Sequence, residues 1–222
     1  MAKTNPITSF NGKVLLPSTK KALDYLSHQK WVGNWYLAGG TALALQFGYR
    51  QSVDLDFFTP EKDFDTQVLI DQFQNTDWTT TSREKITVYG ELFGAQISFI
   101  GYPQFVPQKP FHPYGTVQIL DAYDIAVMKM MAISQRGKKR DFYDMYWYSI
   151  NKEPLMNVLK RVSIHYPNRH HNFHHILKSL NYFDDAEQDP DPEIFFDASW
   201  EKVKHYFLTE VPKISREILE LE

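Results

Sequence analysis

The sequence predicts an α+β protein in which a small mixed β-sheet with flanking helices is followed by a mostly helical lobe. Apolar and polar residues alternate with the period of a strand in several segments between residues 35 and 101. Prolines cluster in residues 103–113, and the composition beyond them is typical of helices. We therefore expect a first lobe over residues 1–110 and a second over residues 111–222, with the prolines as a linker.

The first lobe is predicted to alternate helices and strands. A first helix is expected after Ser18, whose side chain could cap it, and should continue toward Trp31. The elements after it are a strand at residues 35–38, a turn at Gly39 and Gly40, a helix at residues 41–47 stopped by Gly48, a strand at residues 52–58 ended by Pro60, a helix at residues 64–73 and a hairpin at residues 83–103 that turns near Phe93 and Gly94.

The second lobe is predicted to be helical almost throughout. Residues 119–150 form either one long helix or two helices broken at Gly137. The rest is mostly helical, apart from a loop at residues 189–192, DPDP.

Composition excludes several classes of protein. The chain has 222 residues, 43% of them hydrophobic and 15% aromatic, which allows a sizeable core and rules out general disorder. Its formal charge of -3 argues against a basic nucleic-acid coat protein. It has no cysteine, so disulfides, thiolate metal sites and thiol nucleophiles are excluded. With no apolar run of about 20 residues and no signal-peptide core, the chain is expected to be cytoplasmic.

Two acids in one predicted strand are the first candidate site. Asp54 and Asp56 stand at positions i and i+2, so their side chains should project from one face of the strand. Like charges so placed repel unless a cation sits between them. Mg²⁺ is suited to such a place because it binds one or two protein carboxylates together with substrate phosphates. The alternative is an exposed edge strand whose outward residues happen to be acidic.

The glycine turn before that strand adds a second element of a site. Gly39 and Gly40 let backbone amides approach a ligand, and a helix N-terminus favours an anion such as a triphosphate. Ser52 could hold a phosphate oxygen or bond the local backbone. Arg50 could attract the phosphate or be a solvated loop charge. Thr41 needs no role beyond the first turn of the helix.

Three blocks of the chain resemble a known family. Residues 39–58, GGTALALQFGYRQSVDLDFF, resemble the signature of the DNA polymerase β-like nucleotidyltransferase superfamily, and more narrowly its AbiEii/AbiGii toxin branch. Residues 124–148, DIAVMKMMAISQRGKKRDFYDMYWY, resemble the helical motif of that branch. Residues 177–192, LKSLNYFDDAEQDPDP, resemble the C-terminal region of bacterial members. The resemblance implies a nucleotidyltransferase lobe and a helical lobe that completes its active site.

The resemblance also implies a mechanism with Mg²⁺ as cofactor. In such enzymes the metal stabilises in-line attack on the α-phosphorus of a nucleoside triphosphate, and pyrophosphate leaves. Asp54 and Asp56 match the metal ligands. Gly39, Gly40 and Ser52 match the phosphate cradle.

The helical motif supplies further candidates. Lys129 matches the lysine that contacts nucleotide phosphates, although it could also be a polar residue on an otherwise apolar helix. Asp141 and Asp144 are three residues apart and can share a helix face. They could orient Lys129, activate the acceptor, or pair with Lys138 and Arg140 on a solvated helix.

One position departs from the superfamily pattern. Members that run two-metal chemistry carry a third carboxylate on a later strand, where this sequence has Ser98. Glu91 could substitute for it, Asp141 or Asp144 could supply the base, or the protein could bind nucleotides without efficient transfer.

The resemblance implies a bacterial toxin that moves a nucleotide from a nucleoside triphosphate to an RNA acceptor, with tRNA favoured, and so arrests growth during phage defence. It also implies a cognate antitoxin. Two alternatives stay open: an idle nucleotide-binding or interaction protein, and a transferase that acts on a small molecule or a protein hydroxyl.

Other clusters are weaker candidates. Residues 170–175, HHNFHH, have histidine pairs that could bind zinc or RNA, or belong to an ordinary polar helix. The basic run at residues 135–140, QRGKKR, could steer a polyanion or be a solvated helix end. The acidic run at residues 184–191 is interpreted as a surface turn. Walker loops, dinucleotide fingerprints and nucleophile elbows are absent from the sequence.

Overall fold

The computed structural model describes residues 10–219, and the chain divides into two compact units, Met1–Ile125 and Ala126–Glu222. The first unit extends past the prolines, so residues 103–113 lie inside it instead of linking two lobes, and the division follows residue 125 where the sequence suggested 110.

The elements of residues 10–219 confirm an α+β fold. The strands are β1 (Tyr36–Ala38), β2 (Leu55–Thr59), β3 (Thr79–Glu84), β4 (Thr87–Leu92), β5 (Ala95–Gly101), β6 (His112–Tyr114) and β7 (Val117–Ile119). The α-helices are α1 (Pro17–Leu26), α2 (Gly39–Phe47), α3 (Thr66–Asp71), α4 (Ala122–Arg136), α5 (Lys139–Asn151), α6 (Leu155–Lys160), α7 (Val162–His165), α8 (Phe173–Leu180), α9 (Asp184–Glu187) and α10 (Trp200–Leu219). Short 3-10 turns occupy Gly12–Val14 and Lys30–Asn34.

The strands of the first unit form one seven-stranded mixed sheet in the order β3-β4-β5-β2-β1-β7-β6. Strand β2 lies between β1, to which it is antiparallel, and β5, to which it is parallel. Asp56 therefore lies on an inner strand, and Asp54, predicted to share that strand, directly precedes it, so the alternative of an acidic edge strand is wrong.

Side-chain burial fixes the orientation of β2. Leu55 and Phe57 are fully buried, whereas Asp54, Asp56 and Phe58 are partly exposed. The ring of Phe57 stacks on that of Phe99 of β5 at 5.1 Å. The predicted alternation therefore holds from residue 54 to 58, although Val53, expected to share the buried face, precedes the strand and is exposed.

Two predicted turns are confirmed, and each depends on positive φ angles. Gly48 ends α2 in the left-handed conformation with φ 68°, which costs a glycine little because it has no Cβ. The hairpin of β4 and β5 turns at Phe93 and Gly94, with φ values of 55° and 80°. Two successive positive φ angles suit the right-handed twist of the strands that they join.

Several elements differ from the prediction. Helix α1 begins at Pro17, takes no cap from Ser18 and ends at Leu26, while Trp31 lies in the following 3-10 turn. Strand β3 was not predicted because all six of its residues, TTTSRE, are exposed and show no alternation. It is held by pairing with β4. Strands β6 and β7, of three residues each, were also missed.

The second unit is helical, as expected. The pattern at residues 119–150 is two helices, because Gly137 adopts a φ of 54° between α4 and α5. Phe142 of α5 is fully buried, and its ring lies 5.2 Å from that of Phe183 and 5.3 Å from that of Phe207 of α10. This aromatic cluster packs α5 and α10 together.

Candidate active site

The glycine turn faces the carboxylate of Asp56. Gly39 is the first residue of α2 and has a φ of 68°. A Cβ built on Gly39 would lie 2.9 Å from Oδ2 of Asp56. Both the backbone conformation and the close approach therefore require glycine here. Ala38, the N-cap residue, has no side-chain acceptor for the first amides of the nine-residue helix α2.

Asp56 is held from the other side by Ser98. The two residues are register partners on the parallel strands β2 and β5. The Ser98 hydroxyl donates a hydrogen bond of 2.7 Å to Oδ1 of Asp56, and Ser98 is buried. Oδ1 therefore faces β5, while Oδ2 lies beside the glycine turn.

The backbone at Asp54 is fixed by a buried pair of hydroxyls. The hydroxyl of Thr41, in the first turn of α2, donates to the carbonyl oxygen of Asp54. It also lies 2.7 Å from the hydroxyl of Ser52. Since Thr41 and Ser52 are both buried, this pair joins the glycine turn to the residues that lead into β2. Sequence reasoning assigned Thr41 no role in positioning the acids.

Arg50 is not a solvated loop charge. It is 3% exposed, and its Nη1 donates to the carbonyl oxygen of Gln51 at 2.7 Å. Its guanidinium lies 5.8 Å from the centre of the Tyr49 ring. A buried guanidinium with these local contacts stabilises the loop before β2.

Glu91, one possible substitute for a third carboxylate, lies away from Asp56. It is paired with Gln96 at the turn end of the hairpin, and the Gln96 amide donates to Glu91 Oε2 at 3.0 Å. The partner of Ser98 on β4 is Tyr89. The geometry therefore gives no support to Glu91 as a metal ligand or base.

In the second unit, Lys129 binds the two aspartates of the helical motif. Its Nζ lies 2.7 Å from Oδ1 of Asp141 and 2.7 Å from Oδ2 of Asp144. The lysine side chain is 6% exposed, and both aspartates are fully buried. The aspartates therefore orient Lys129, and they lie on a buried face of α5 instead of a solvated one.

Arg136 is a further partner of Asp141 that the sequence analysis did not identify. Its Nε donates to Oδ2 of Asp141 at 3.1 Å across the break at Gly137. Burial alone would raise the pKa of Asp141, but the charges and hydrogen bonds of Lys129 and Arg136 hold that pKa below its ordinary value. A carboxylate with a lowered pKa is a weak base, so Asp141 is better suited to orienting Lys129 than to deprotonating an acceptor.

The basic run at residues 135–140 is partly neutralised by the acidic run at residues 184–191. Lys138 Nζ lies 3.1 Å from Oδ1 of Asp189, and the backbone amide of Lys139 donates to Oδ2 of the same carboxylate at 3.0 Å. Lys139 Nζ lies 3.3 Å from Asp191. The acidic run, interpreted from the sequence as a surface turn, thus caps the first turn of α5.

The histidines show no metal geometry. Nε2 of His171 lies 2.8 Å from the carbonyl oxygen of Tyr166, and Nε2 of His175 lies 3.1 Å from that of Ser134. Within residues 10–219, no group of three His, Cys, Asp or Glu side chains is placed to hold a metal ion. The zinc alternative therefore has no support.

Magnesium needs fewer protein ligands than zinc. Strand β2 and the residue before it offer two partly exposed carboxylates, and the described residues add no third. Mg²⁺ binds one or two protein carboxylates together with substrate phosphates and water, so two carboxylates suffice. Asp54 and Asp56 are therefore suitable ligands for a nucleotide-bound cation.

A cavity of about 480 Å³ lies elsewhere in the first unit. Its lining includes Trp35, Tyr36, Pro60 and Phe111, at the start of β1 and the end of β2. The glycine turn and the acids are at the opposite ends of these two strands. None of the predicted site residues lines this cavity.

A strand, a glycine turn, a helix and an acid-bearing inner strand together define a nucleotidyltransferase fold, and a solved structure agrees with this fold. A solved structure from H. pylori, described as a candidate nucleotidyltransferase, aligns over 91% of this chain and 96% of its own with a TM-score of 0.52 at 15% identity. The nucleotidyltransferase toxin MenT4 of Mycobacterium tuberculosis H37Rv aligns over 90% of this chain and 88% of its own with a TM-score of 0.49 at 14% identity.

The family follows from the sequence comparisons. The model of the nucleotidyl transferase AbiEii toxin, of type IV toxin–antitoxin systems, matches residues 21–77 and 72–220. The protein aq_aa25 of Aquifex aeolicus (strain VF5) is 36% identical over 199 residues, which are 86% of this chain and 93% of that protein. The chain belongs to the AbiEii family of nucleotidyltransferase toxins, so the predicted resemblance and enzyme class are confirmed.

Membrane insertion through a helix finds no support in residues 10–219, where no helix is both long and apolar enough to span a bilayer.

Proposed function

We propose that the protein is a Mg²⁺-dependent toxin that transfers a nucleotide from a nucleoside triphosphate to an RNA acceptor, with tRNA as the favoured substrate. The observation that carries this proposal is the contact between Gly39 and Asp56. It brings a carboxylate oxygen to the N-terminus of α2, where helix amides favour the phosphates of a nucleotide. A cation and a triphosphate can therefore be held at one place.

The reaction requires an acceptor hydroxyl to attack the α-phosphorus and give up its proton to water. The bond from that phosphorus to the bridging oxygen breaks, and pyrophosphate leaves. Mg²⁺ bound by Asp54 and Asp56 would offset the negative charge of the phosphates. The residues of the glycine turn hold the triphosphate in line with the acceptor, and Thr41 keeps the backbone of Asp54 in place.

Lys129 is the proposed phosphate contact from the helical motif. An ammonium group has three N–H donors, of which Asp141 and Asp144 accept two. The third can donate to a phosphate oxygen. Since both carboxylates are buried and bound to Lys129, we assign them the positioning of its ammonium group.

Ser52 and Arg50 were predicted to bind phosphate, and the geometry supports a different role for each. The Ser52 hydroxyl is buried against Thr41, and Arg50 is buried against its own loop. We propose that both shape the site without touching the nucleotide.

Labelling tests the transfer. Purified protein is incubated with Mg²⁺, total bacterial tRNA and each α-labelled nucleoside triphosphate in turn, in parallel with Asp54→Asn and Asp56→Asn. The control is Asp197→Asn, whose carboxylate is fully exposed. Label should enter tRNA with the native protein and the control only, and omission of Mg²⁺ should abolish it. Full activity of Asp56→Asn would contradict the site.

Ser98 motivates a second candidate, an idle nucleotide-binding protein, because it stands where a third carboxylate would be. Nucleotide binding by calorimetry, with no labelled product after long incubation with tRNA, small-molecule alcohols or protein acceptors, would favour it. If label entered a small molecule or a protein but not tRNA, the acceptor would instead be a small molecule or a protein hydroxyl.

The family model also names a toxin–antitoxin system. We propose that expression of this protein alone arrests bacterial growth, in the cytoplasm and during phage defence, and that a cognate antitoxin relieves the arrest. Growth of cells that express the native protein or Asp56→Asn tests the toxicity, since only the native protein should slow growth.

A further inference from the structure

Ser98 occupies the position of the missing third carboxylate, yet its hydroxyl is bound to Asp56. We infer that Ser98 is a positioning residue that sets the orientation of the Asp56 carboxylate for cation binding. This inference rests on the proposed function, because it concerns the same site.

The backbone positions of the pair are fixed by packing. Asp56 and Ser98 are opposite each other on adjacent parallel strands. The register pairs on either side of them are formed by buried apolar residues: Leu55 with Ile97, and Phe57 with Phe99. A shift of either strand by one residue would move its two apolar side chains to the other face of the sheet, so the register is strongly specified. The pairing of the two strands therefore places the hydroxyl of Ser98 next to the carboxylate of Asp56.

The hydrogen bond distinguishes the two oxygens of Asp56. Oδ1 accepts from Ser98 at 2.7 Å, whereas Oδ2 lies next to the bare Cα of Gly39. Rotation of the carboxylate about its last bond would break the contact with Ser98. Oδ2 is consequently the oxygen presented to the glycine turn and to a cation bound with the triphosphate.

Burial and charge both strengthen the hydrogen bond from Ser98 to Asp56. Ser98 is 4% exposed, so water competes weakly for its hydroxyl. A hydroxyl that donates to an ionised carboxylate forms a charge-assisted bond, stronger than a bond between neutral groups. An aspartate at position 98 would instead place a second negative charge against Asp56, which is unfavourable without a bound cation.

Three variants test the inference: Ser98→Ala, which removes the donor, Ser98→Thr, which keeps it, and Ser215→Ala as a control. Ser215 is a matched serine of α10 whose hydroxyl donates to the carbonyl oxygen of Val211 in its own helix. The probe is Mn²⁺ alone, titrated into each protein without nucleotide and followed by electron paramagnetic resonance. The midpoint of urea denaturation, measured for each protein, shows whether the variant is folded.

We expect Ser98→Ala to bind Mn²⁺ about tenfold more weakly, the lower end of the effect of removing a group that orients a metal ligand. Ser98→Thr and Ser215→Ala should bind like the native protein. In the transfer assay, Ser98→Ala should need more Mg²⁺ for half-maximal rate and should recover most of the rate at saturating Mg²⁺. If the added methyl group of Ser98→Thr prevents folding, Ser98→Cys, a weaker donor of similar size, should give an intermediate affinity.

The outcomes separate this inference from the proposed function. The role of Ser98 would be overturned if Ser98→Ala bound Mn²⁺ as tightly as the native protein does. It would also be overturned if Ser98→Ala and the variants that keep the donor lost Mn²⁺ affinity equally. Neither result would decide whether the protein transfers nucleotides, which the labelling experiment tests. Weaker Mn²⁺ binding in Ser98→Ala alone, with no transfer by any protein, would support the role and refute the proposed reaction. If the native protein binds no Mn²⁺, the inference fails.

Discussion

The Cα of Gly39 lies against the carboxylate of Asp56, so closely that a Cβ at position 39 would come within 2.9 Å of Oδ2. The contact joins the start of α2 to strand β2 and explains why the turn has glycine at this position.

Gly39→Ala should lower the transfer rate by about 100-fold, the effect expected when a catalytic group is displaced by about 1 Å. The new methyl group must push Asp56 aside, and alanine is strained at a φ of 68°. The control is Gly33→Ala, where the nearest atom to the new Cβ is 3.9 Å away. Equal rates for the two variants would show that the contact does not matter for transfer.

Lys129→Met should be strongly destabilising. It leaves Asp144 and Asp141 fully buried without the ammonium group that lies 2.7 Å from each. Breaking a buried ion pair by removing one partner costs about 3–5 kcal/mol in the free energy of unfolding, measured here by urea denaturation. Lys160→Met, which removes a half-exposed pair with Glu217, should change the free energy by less than about 1 kcal/mol. A Lys129→Met/Asp141→Asn/Asp144→Asn variant should regain part of the loss, and no recovery would argue against a charge effect.

Stability should fall at acid pH partly because of Asp141. Its pKa in the folded protein is below the ordinary value, since Lys129 and Arg136 outweigh the effect of burial. In the unfolded chain the pKa returns to about 3.9. As the pH falls through this value, the unfolded state therefore binds more protons than the folded state. The stabilisation that Asp141 gives to the folded protein is fully present above pH about 3.9 and is lost as the pH falls toward the lower pKa of the folded protein. Urea midpoints between pH 7 and pH 3 should fall more steeply for the native protein than for Asp141→Asn. If the urea midpoints of the two proteins fell equally with pH, Asp141 would not be a source of the acid sensitivity.

Asp189→Ala should destabilise the second unit by about 1 kcal/mol, as the loss of a helix cap does. Its carboxylate accepts from the backbone amide of Lys139 and from Lys138. The matched change is Asp191→Ala, which removes only an ion pair to Lys139 from a carboxylate that is 68% exposed and should have little effect. Denaturation of both variants by urea distinguishes them. If Asp191→Ala were the more damaging, the cap would not be the stabilising contact.

Ser52→Ala should reduce stability and leave nucleotide binding nearly unchanged. The Ser52 hydroxyl is buried beside that of Thr41, and the loss of one hydrogen bond costs about 0.5–1.5 kcal/mol. A Thr41→Val/Ser52→Ala variant removes both groups, so its loss should be less than the sum of the single changes. If Ser52→Ala instead raised the KM for the nucleoside triphosphate at unchanged stability, Ser52 would be a phosphate ligand after all.

The local chemistry of the chain determined many of its elements. Gly48 predicted the end of α2, and the pair Phe93 and Gly94 predicted the hairpin turn. Gly137 marked the place of the break between α4 and α5 as one of two alternatives. Each prediction depends on a conformational preference of the residue itself and its neighbours. Strand β3 could not be predicted in this way, because its exposed residues are held in the sheet by β4.

The sequence by itself determined the candidate residues of the site and, through three blocks of resemblance, the family. Only the tertiary structure decided what these residues contact. It placed Ser98 against Asp56, buried Ser52 against Thr41, and enclosed Lys129 between Asp141 and Asp144. The physical reason is that strand pairing and burial join residues far apart in the chain, such as Asp56 and Ser98, which are 42 positions apart. Spacing along a sequence shows which groups can carry charge, whereas the fold decides which charges are shielded, paired or available to a ligand.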